Sequence, residues 1–195
     1  MSEIIDLTTT IPVEMLAVDT KKENVFPFNG HIGTHFDVMD KAFSLEYMEL
    51  PGIVFDVHLI HPENEITEND IPIDKISNGM FVAFYAGFIE HTSYGSKEYF
   101  KTHPQLSHSL IDKLLSLQTK IIGLDFAGAR RGSEHTPVDQ KCADQGCFIV
   151  ENLCNLQSVL KGQSSVTFTA GTYPISITGI PALPCRVIAK PARKD

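Results

Sequence analysis

Hydrophobic positions along the chain fall into short clusters separated by Gly, Pro and polar residues, a spacing that favours strands over long helices. Gly52-Ile-Val-Phe-Asp-Val-His-Leu-Ile60 is β-branched and aromatic and is bounded by Pro51-Gly52 and Pro62, so it predicts a strand. Met80 to Tyr85 predicts a second, Ile121 to Phe126 a third, and Ile4 to Leu7 a short leading strand. Between the second and third, Leu110, Ile111, Leu114, Leu115 and Leu117 recur at helical spacing, with Ser107 placed to cap them. Pro137 suits the first turn of a short helix and Gly146 its C′ position. Cys147 to Val150 then predict a buried strand that delivers Glu151 at its end. Val166, Phe168 and Ala170 alternate with polar residues, and Cys185 to Lys190 do so more loosely, predicting two late strands. Many strands and few helices in 195 residues predict an α/β fold with mixed sheets, a single domain over residues 1–195. In such folds, loops at strand ends carry the sites.

Composition narrows the function classes. Hydrophobic residues make up 43% and charged residues 21%, as in ordinary globular proteins. A formal charge of −8 repels phosphate backbones, and the only basic clusters are Arg130-Arg131 and the Lys190 to Lys194 tail, broken by Pro191. Nucleic acid is therefore not an expected partner. No apolar run approaches the ~18 residues of a membrane span, and Met1 to Asp6 lack the basic-then-apolar pattern of a secretion signal. Cys142, Cys147, Cys154 and Cys185 show no C-x-x-C spacing and read as free thiols in a reducing, cytoplasmic compartment. The chain has no G-x-S-x-G, G-x-G-x-x-G or P-loop, which removes serine-hydrolase and nucleotide-dependent chemistry.

The segment His31-Ile-Gly-Thr-His-Phe-Asp37 holds two imidazoles and a carboxylate, a good donor set for Zn²⁺, Mn²⁺ or Fe²⁺. In a helix Asp37 would point roughly 240° away from His31, at about 100° per residue. In a straight strand His31 and His35 would stand about 13 Å apart at Cα, too far for one ion. The chain must bend between them, and Gly33 provides the freedom. Spacing alone leaves open two hydrogen-bonded histidines beside an acid.

His31-x-Gly33-Thr34-His35-x-Asp37 resembles the signature of the metal-dependent kynurenine formamidase family, also called the putative cyclase family. Asp6-Leu-Thr8, Ala86-Gly-Phe88, Gly123-Leu-Asp125, Val150-Glu-Asn-Leu153 and Pro184 to Ala189 resemble further family blocks in the right order. The resemblance implies a swivelling β/β/α domain, a homodimer or homotetramer, and hydrolysis of a small formylated or cyclic amide. It implies a divalent metal, Zn or Mn, as one or two ions. His31, His35 and Asp37 match metal ligands, with Asp37 at the bridging position, and Glu151 matches a ligand of the second ion. Phe36 and Phe88, beside matched segments, are candidate walls of a substrate pocket suited to an aromatic or cyclic amide.

The chain departs from the family at two histidines. The family continues Asp-x-Pro-x-His where this chain reads Asp37-Val-Met39-Asp-Lys41, so Lys41 stands in place of the acid/base histidine. Asp139 stands in place of a second metal-binding histidine twelve residues before Glu151. Asp139 is then either an oxygen ligand in a two-metal centre or the partner of a Lys41 ammonium that replaces the second ion. Lys41 beside a cation is expected to have a depressed pKa, acting as general acid or base if lowered toward neutrality and orienting substrate or stabilising an oxyanion if it stays protonated. Its change also raises the rival reading of a metal-binding protein without hydrolase activity. Among the other histidines, His135, close to Pro137 and Asp139, is the one placed to substitute for a missing site histidine.

Overall fold

The protein is represented by a computed structural model that describes residues 3–11 and 29–192. In chain order the strands are β1 (Ile5–Asp6), β2 (His35–Asp37), β3 (Glu49–Asp56), β4 (Glu65–Ile66), β5 (Phe81–Tyr85), β6 (Gln105–Leu106), β7 (Ile121–Leu124), β8 (Phe148–Glu151), β9 (Ser165–Pro174) and β10 (Ala182–Pro191). The helices are α1 (Phe88–His91), α2 (Lys97–Thr102), α3 (His108–Ser116), α4 (His135–Asp144) and α5 (Leu156–Leu160). Among the described residues no helix is long and apolar enough to cross a membrane.

Eight strands form one sheet in the order β1-β10-β2-β8-β7-β5-β3-β9, and β9 also pairs with β10, closing the sheet into a barrel. The run β3-β5-β7-β8 is parallel and its flanks are antiparallel, so the expected α/β fold with mixed pairing is present. Parallel strands covered on both faces bury both side-chain sets. On β5, Phe81, Ala83 and Tyr85 pack into one core with Phe36, Val54, Val150 and Phe168. Val82 and Phe84 face a second core with Ile53, Ile122, Ile149 and the inner face of α3.

The amphipathic helix is α3. Leu110, Ile111, Leu114 and Leu115 are buried, and the Ser107 hydroxyl accepts from the Leu110 N–H at 3.1 Å, capping it. Gly146 follows α4 with φ 69°, at the position expected for a left-handed helix stop. The predicted Gly52–Ile60 strand is displaced: β3 begins at Glu49, runs through Pro51-Gly52 and ends at Asp56. Pro51 faces Thr169 of β9 in the barrel wall, so its pairing and not its turn propensity decides the boundary. Two matched blocks meet at Asp125, whose carboxylate accepts from the N–H groups of Ala86 and Gly87. Burial raises the Asp125 pKa to about 7 against the pull of those donors.

Candidate metal centre

Three elements supply the site. The chain bends at Gly33, φ 60°, as the spacing of His31 and His35 requires. A Cβ there would lie 2.8 Å from Ile11 Cγ1, and the Gly33 N–H donates to Tyr94 Oη at 2.7 Å. Beyond the bend β2 is extended, so His35 and Asp37 share a face and Phe36 takes the other. Register places His35 directly opposite Glu151 and Phe36 opposite Val150. From α4, His135 and Asp139 add a second pair four residues apart, hence on one helix face.

The side chains converge. His31 Nε2 lies 3.2 Å from Asp37 Oδ1, and His35 Nε2 lies 3.7 Å from the same oxygen and 3.5 Å from Glu151 Oε2. His135 Nε2 lies 3.2 Å from Asp139 Oδ2 and 3.6 Å from Glu151 Oε1. Ligand atoms of His31, His35 and Asp37 fall within 4.8 Å of one another, and so do those of Asp37, His135 and Asp139. Asp37 belongs to both triplets.

Backbone carbonyls select the tautomers. His35 Nδ1 donates to Gly33 O at 2.9 Å and His135 Nδ1 to Arg130 O at 3.2 Å, leaving each Nε2 lone pair aimed at the carboxylates. Asn152 braces the bend: its Nδ2 donates to Gly33 O, its carbonyl accepts from the Thr34 and Thr9 hydroxyls, and its Oδ1 accepts from Tyr99.

The donor set fits a divalent cation. Among the described residues, five of the six buried side-chain polar atoms without a hydrogen-bond partner belong to this cluster: His35 Nε2, both Asp37 oxygens, Asp139 Oδ1 and Glu151 Oε1. Buried polar atoms are rarely left unpaired, so their concentration at one point calls for a cation. Electrostatics agree. Burial, then the Asp37 charge, pushes Asp139 up to about 9, and burial with both aspartates raises Glu151. Burial also works against ionising Asp37, but His31, His35 and His135 outweigh it and hold its pKa low. Burial depresses His35 and keeps it neutral, the form that binds metal.

The centre opens into a cavity of about 330 Å³ whose remaining wall includes Tyr94, Phe100, His103, Arg131 and Asn152. His103 is buried, donates from Nδ1 to Pro104 O at 2.7 Å and stacks on Phe126. Burial drives its pKa down to about 4, so it is neutral.

Three expected positions lie elsewhere. Lys41 is at the surface, its ammonium 2.7 Å from Asp144 and 3.1 Å from Asp40, and it forms no pair with Asp139. Those carboxylates raise its pKa, opposite to the expected depression. Met39 is the physical reason. Its φ is 56°, and its N–H donates to Pro181 O at 2.8 Å. Proline, fixed near φ −65° and lacking an N–H, can do neither. The turn therefore departs toward the C-terminal end of α4, where Gln140 also donates to Asp40. Phe36 is fully buried with its ring 4.8 Å from Phe43, because β2's alternation points it into the barrel core. Phe88 packs on Tyr99 and lines an adjoining cavity, not that of the metal ligands. Conversely, His103 also lines this cavity although no local spacing links it to the other site residues.

Residues 5–129 match the model of the family described as Putative cyclase. That span includes His31, His35 and Asp37 and ends before His135, Asp139 and Glu151. No curated protein matches the chain. Among solved structures, a potential metal-dependent hydrolase with cyclase activity shares 21% identity over 100% of both chains, with TM-score 0.72. A predicted metal-dependent hydrolase from Bacillus stearothermophilus shares 20% identity over 97% of this chain and 98% of its own, with TM-score 0.69. Isatin hydrolase A from Ralstonia solanacearum shares 17% identity over 96% and 91%, with TM-score 0.74. At these identities the likeness is one of fold.

Proposed function

This chain belongs to the Putative cyclase family, and we propose that it is a metal-dependent hydrolase of a small formylated or cyclic amide, similar in chemistry to kynurenine formamidase. The observation that carries the reading is the convergence of five unpartnered buried ligand atoms from β2, β8 and α4. His31, His35 and Asp37 would hold one Zn²⁺ or Mn²⁺, and Asp37, His135 and Asp139 with Glu151 a second. Bound divalent cations supply Lewis acidity, polarising an amide carbonyl and lowering the pKa of water toward ~7. The chain's own part is to hold the ligands in place. Gly33 O and Arg130 O fix the imidazole tautomers, while the cavity admits a small molecule beside them. The amide hydrolases among its fold neighbours, isatin hydrolases, support the reaction class.

A second reading, metal binding without hydrolysis, is favoured by the placement of Lys41, which leaves the centre without a group from the family's acid/base position. Metal counting and turnover separate the two. Purified protein loaded with Zn²⁺ or Mn²⁺ is expected to hold two ions per chain, His135→Ala one, and Asp37→Ala none. N-formylkynurenine or a simple cyclic amide is expected to turn over, with a loss of at least about 100-fold in both variants. Absence of turnover with Zn²⁺, Mn²⁺ or Co²⁺ overturns the hydrolase reading even if the metal count stands.

A further inference from the structure

We propose that the molecule bound at this centre carries an anionic group, a carboxylate in the simplest case, and that Arg131 binds it. The inference depends on the hydrolase reading only for calling that molecule a substrate.

The two neighbouring arginines are engaged differently. Arg130 is buried, with Nε and Nη2 on Glu134 at 2.8 and 2.6 Å and Nη1 on Glu65 at 2.5 Å and Leu106 O at 2.8 Å. Its charge is neutralised within the protein. Arg131 is half-buried, and its backbone N–H is fixed by Gln105 Oε1 at 2.8 Å. Its guanidinium donates from Nη1 to Lys101 O at 3.1 Å, at the end of α2, and enters no ion pair among the described residues. One carbonyl contact orients the group without balancing its charge, and it leaves most of the five N–H donors available.

Its surroundings suit an anion with an apolar body. Arg131 lies on the wall shared by the metal-centre cavity and the adjoining cavity. On the metal side the only acidic lining residue among those described is Glu151, and its charge and those of Asp37 and Asp139 would be offset by the cations they are proposed to hold. The adjoining cavity is lined by Glu63 and Glu98, which would repel an anion. The metal side is therefore where a carboxylate meets Arg131. The same cavity is lined by Tyr94 and Phe100, ring centroids 6.3 Å apart, and Phe100 is 51% exposed. An apolar or aromatic body on these rings would join an amide at the metal ligands to a carboxylate in the guanidinium fork, the geometry for which arginine is suited.

The test compares the full-length wild type with Arg131→Met and Arg131→Lys. One arm measures benzoate binding to metal-free protein by calorimetry, where no metal can capture the carboxylate. The other compares hydrolysis of 4-formamidobenzoate and formanilide by Zn²⁺-loaded protein. The wild type is expected to bind benzoate and to show a lower KM for the carboxylate compound. Arg131→Met should weaken benzoate at least about 10-fold and collapse the KM discrimination toward unity, with Arg131→Lys intermediate. Circular dichroism confirms that each variant is folded. Equal benzoate affinity in wild type and Arg131→Met, or none in either, overturns the proposal. Arg131-dependent benzoate binding without turnover of either amide supports the anion site while removing the hydrolase reading.

Discussion

His103 and the site histidines differ in what their second nitrogen meets. All three rings of His35, His103 and His135 give an Nδ1–H to a backbone carbonyl, but only His35 and His135 then face carboxylates. His103 is buried against Phe126 and stays neutral because desolvation penalises its charged form, with a pKa near 4. The unfolded chain binds a proton on this residue near pH 6.5, the folded chain only near 4. The stability it maintains is therefore full above pH 6.5 and lost as pH falls from 6.5 toward 4. Between pH 7 and 5 the loss is about 2 kcal/mol, from 1.36 kcal/mol per pKa unit. Urea unfolding of metal-free His103→Phe is expected to show a pH dependence weaker than the wild type's by about that amount. An unchanged pH dependence would assign the effect to other groups. Short spacing joined His31, His35 and Asp37 in the sequence, whereas Glu151, Asp139 and His135 could be named there only through the family resemblance. Lys41 instead pairs with Asp144 and Asp40 beyond the turn at Met39, whose φ is 56°.

At the level of elements, periodicity decides which side chains can meet. Period two on β2 brings His35 and Asp37 to one face and sends Phe36 into the core. The same alternation excludes Phe36 from the cavity at the centre. On α4 a four-residue separation joins His135 to Asp139. The loop from β7 to α4 adds a steric condition. Gly128 has φ 102°, and a Cβ there would lie 2.4 Å from His135 Nδ1 and 3.0 Å from Arg130 O. Gly128→Ala is expected to displace His135 and to cost about 1–2 kcal/mol of backbone strain. Metal analysis should find one ion per chain where two are expected of the wild type, with far-ultraviolet circular dichroism unchanged. Two ions retained would show that His135 is not a required ligand. Strand and helix existence was legible because such patterns are local. The short helices α1, α2 and α5 and strands β4 and β6 were not, since four to six residues or fewer carry too little periodicity to stand out.

Across the whole molecule, closure of the sheet concentrates three carboxylates, Asp37, Asp139 and Glu151, in one buried cluster. Without cations this cluster opposes folding, as the raised pKa values of Asp139 and Glu151 register. Metal that binds only the folded chain should therefore stabilise it, by about 2.7 kcal/mol at a hundredfold excess over Kd. For a chain of this length that is about 5–10 °C in Tm. Thermal unfolding with a chelator and with saturating Zn²⁺ measures the difference, and coincident curves would argue against a cation at the cluster.

The sequence by itself determined the α/β class, the capped helix α3 and the bend at Gly33, because each follows from periodicity or from the conformational needs of neighbouring residues, while the candidate ligands on β2 were assigned only through the family resemblance. Only the tertiary structure decided that His135 joins the cluster, that Lys41 leaves it for Asp144, and that Arg131 shares its cavity. Those facts depend on register across β2 and β8 and on the paths of two turns. Residues distant in sequence meet there because the barrel closes, which no local pattern encodes.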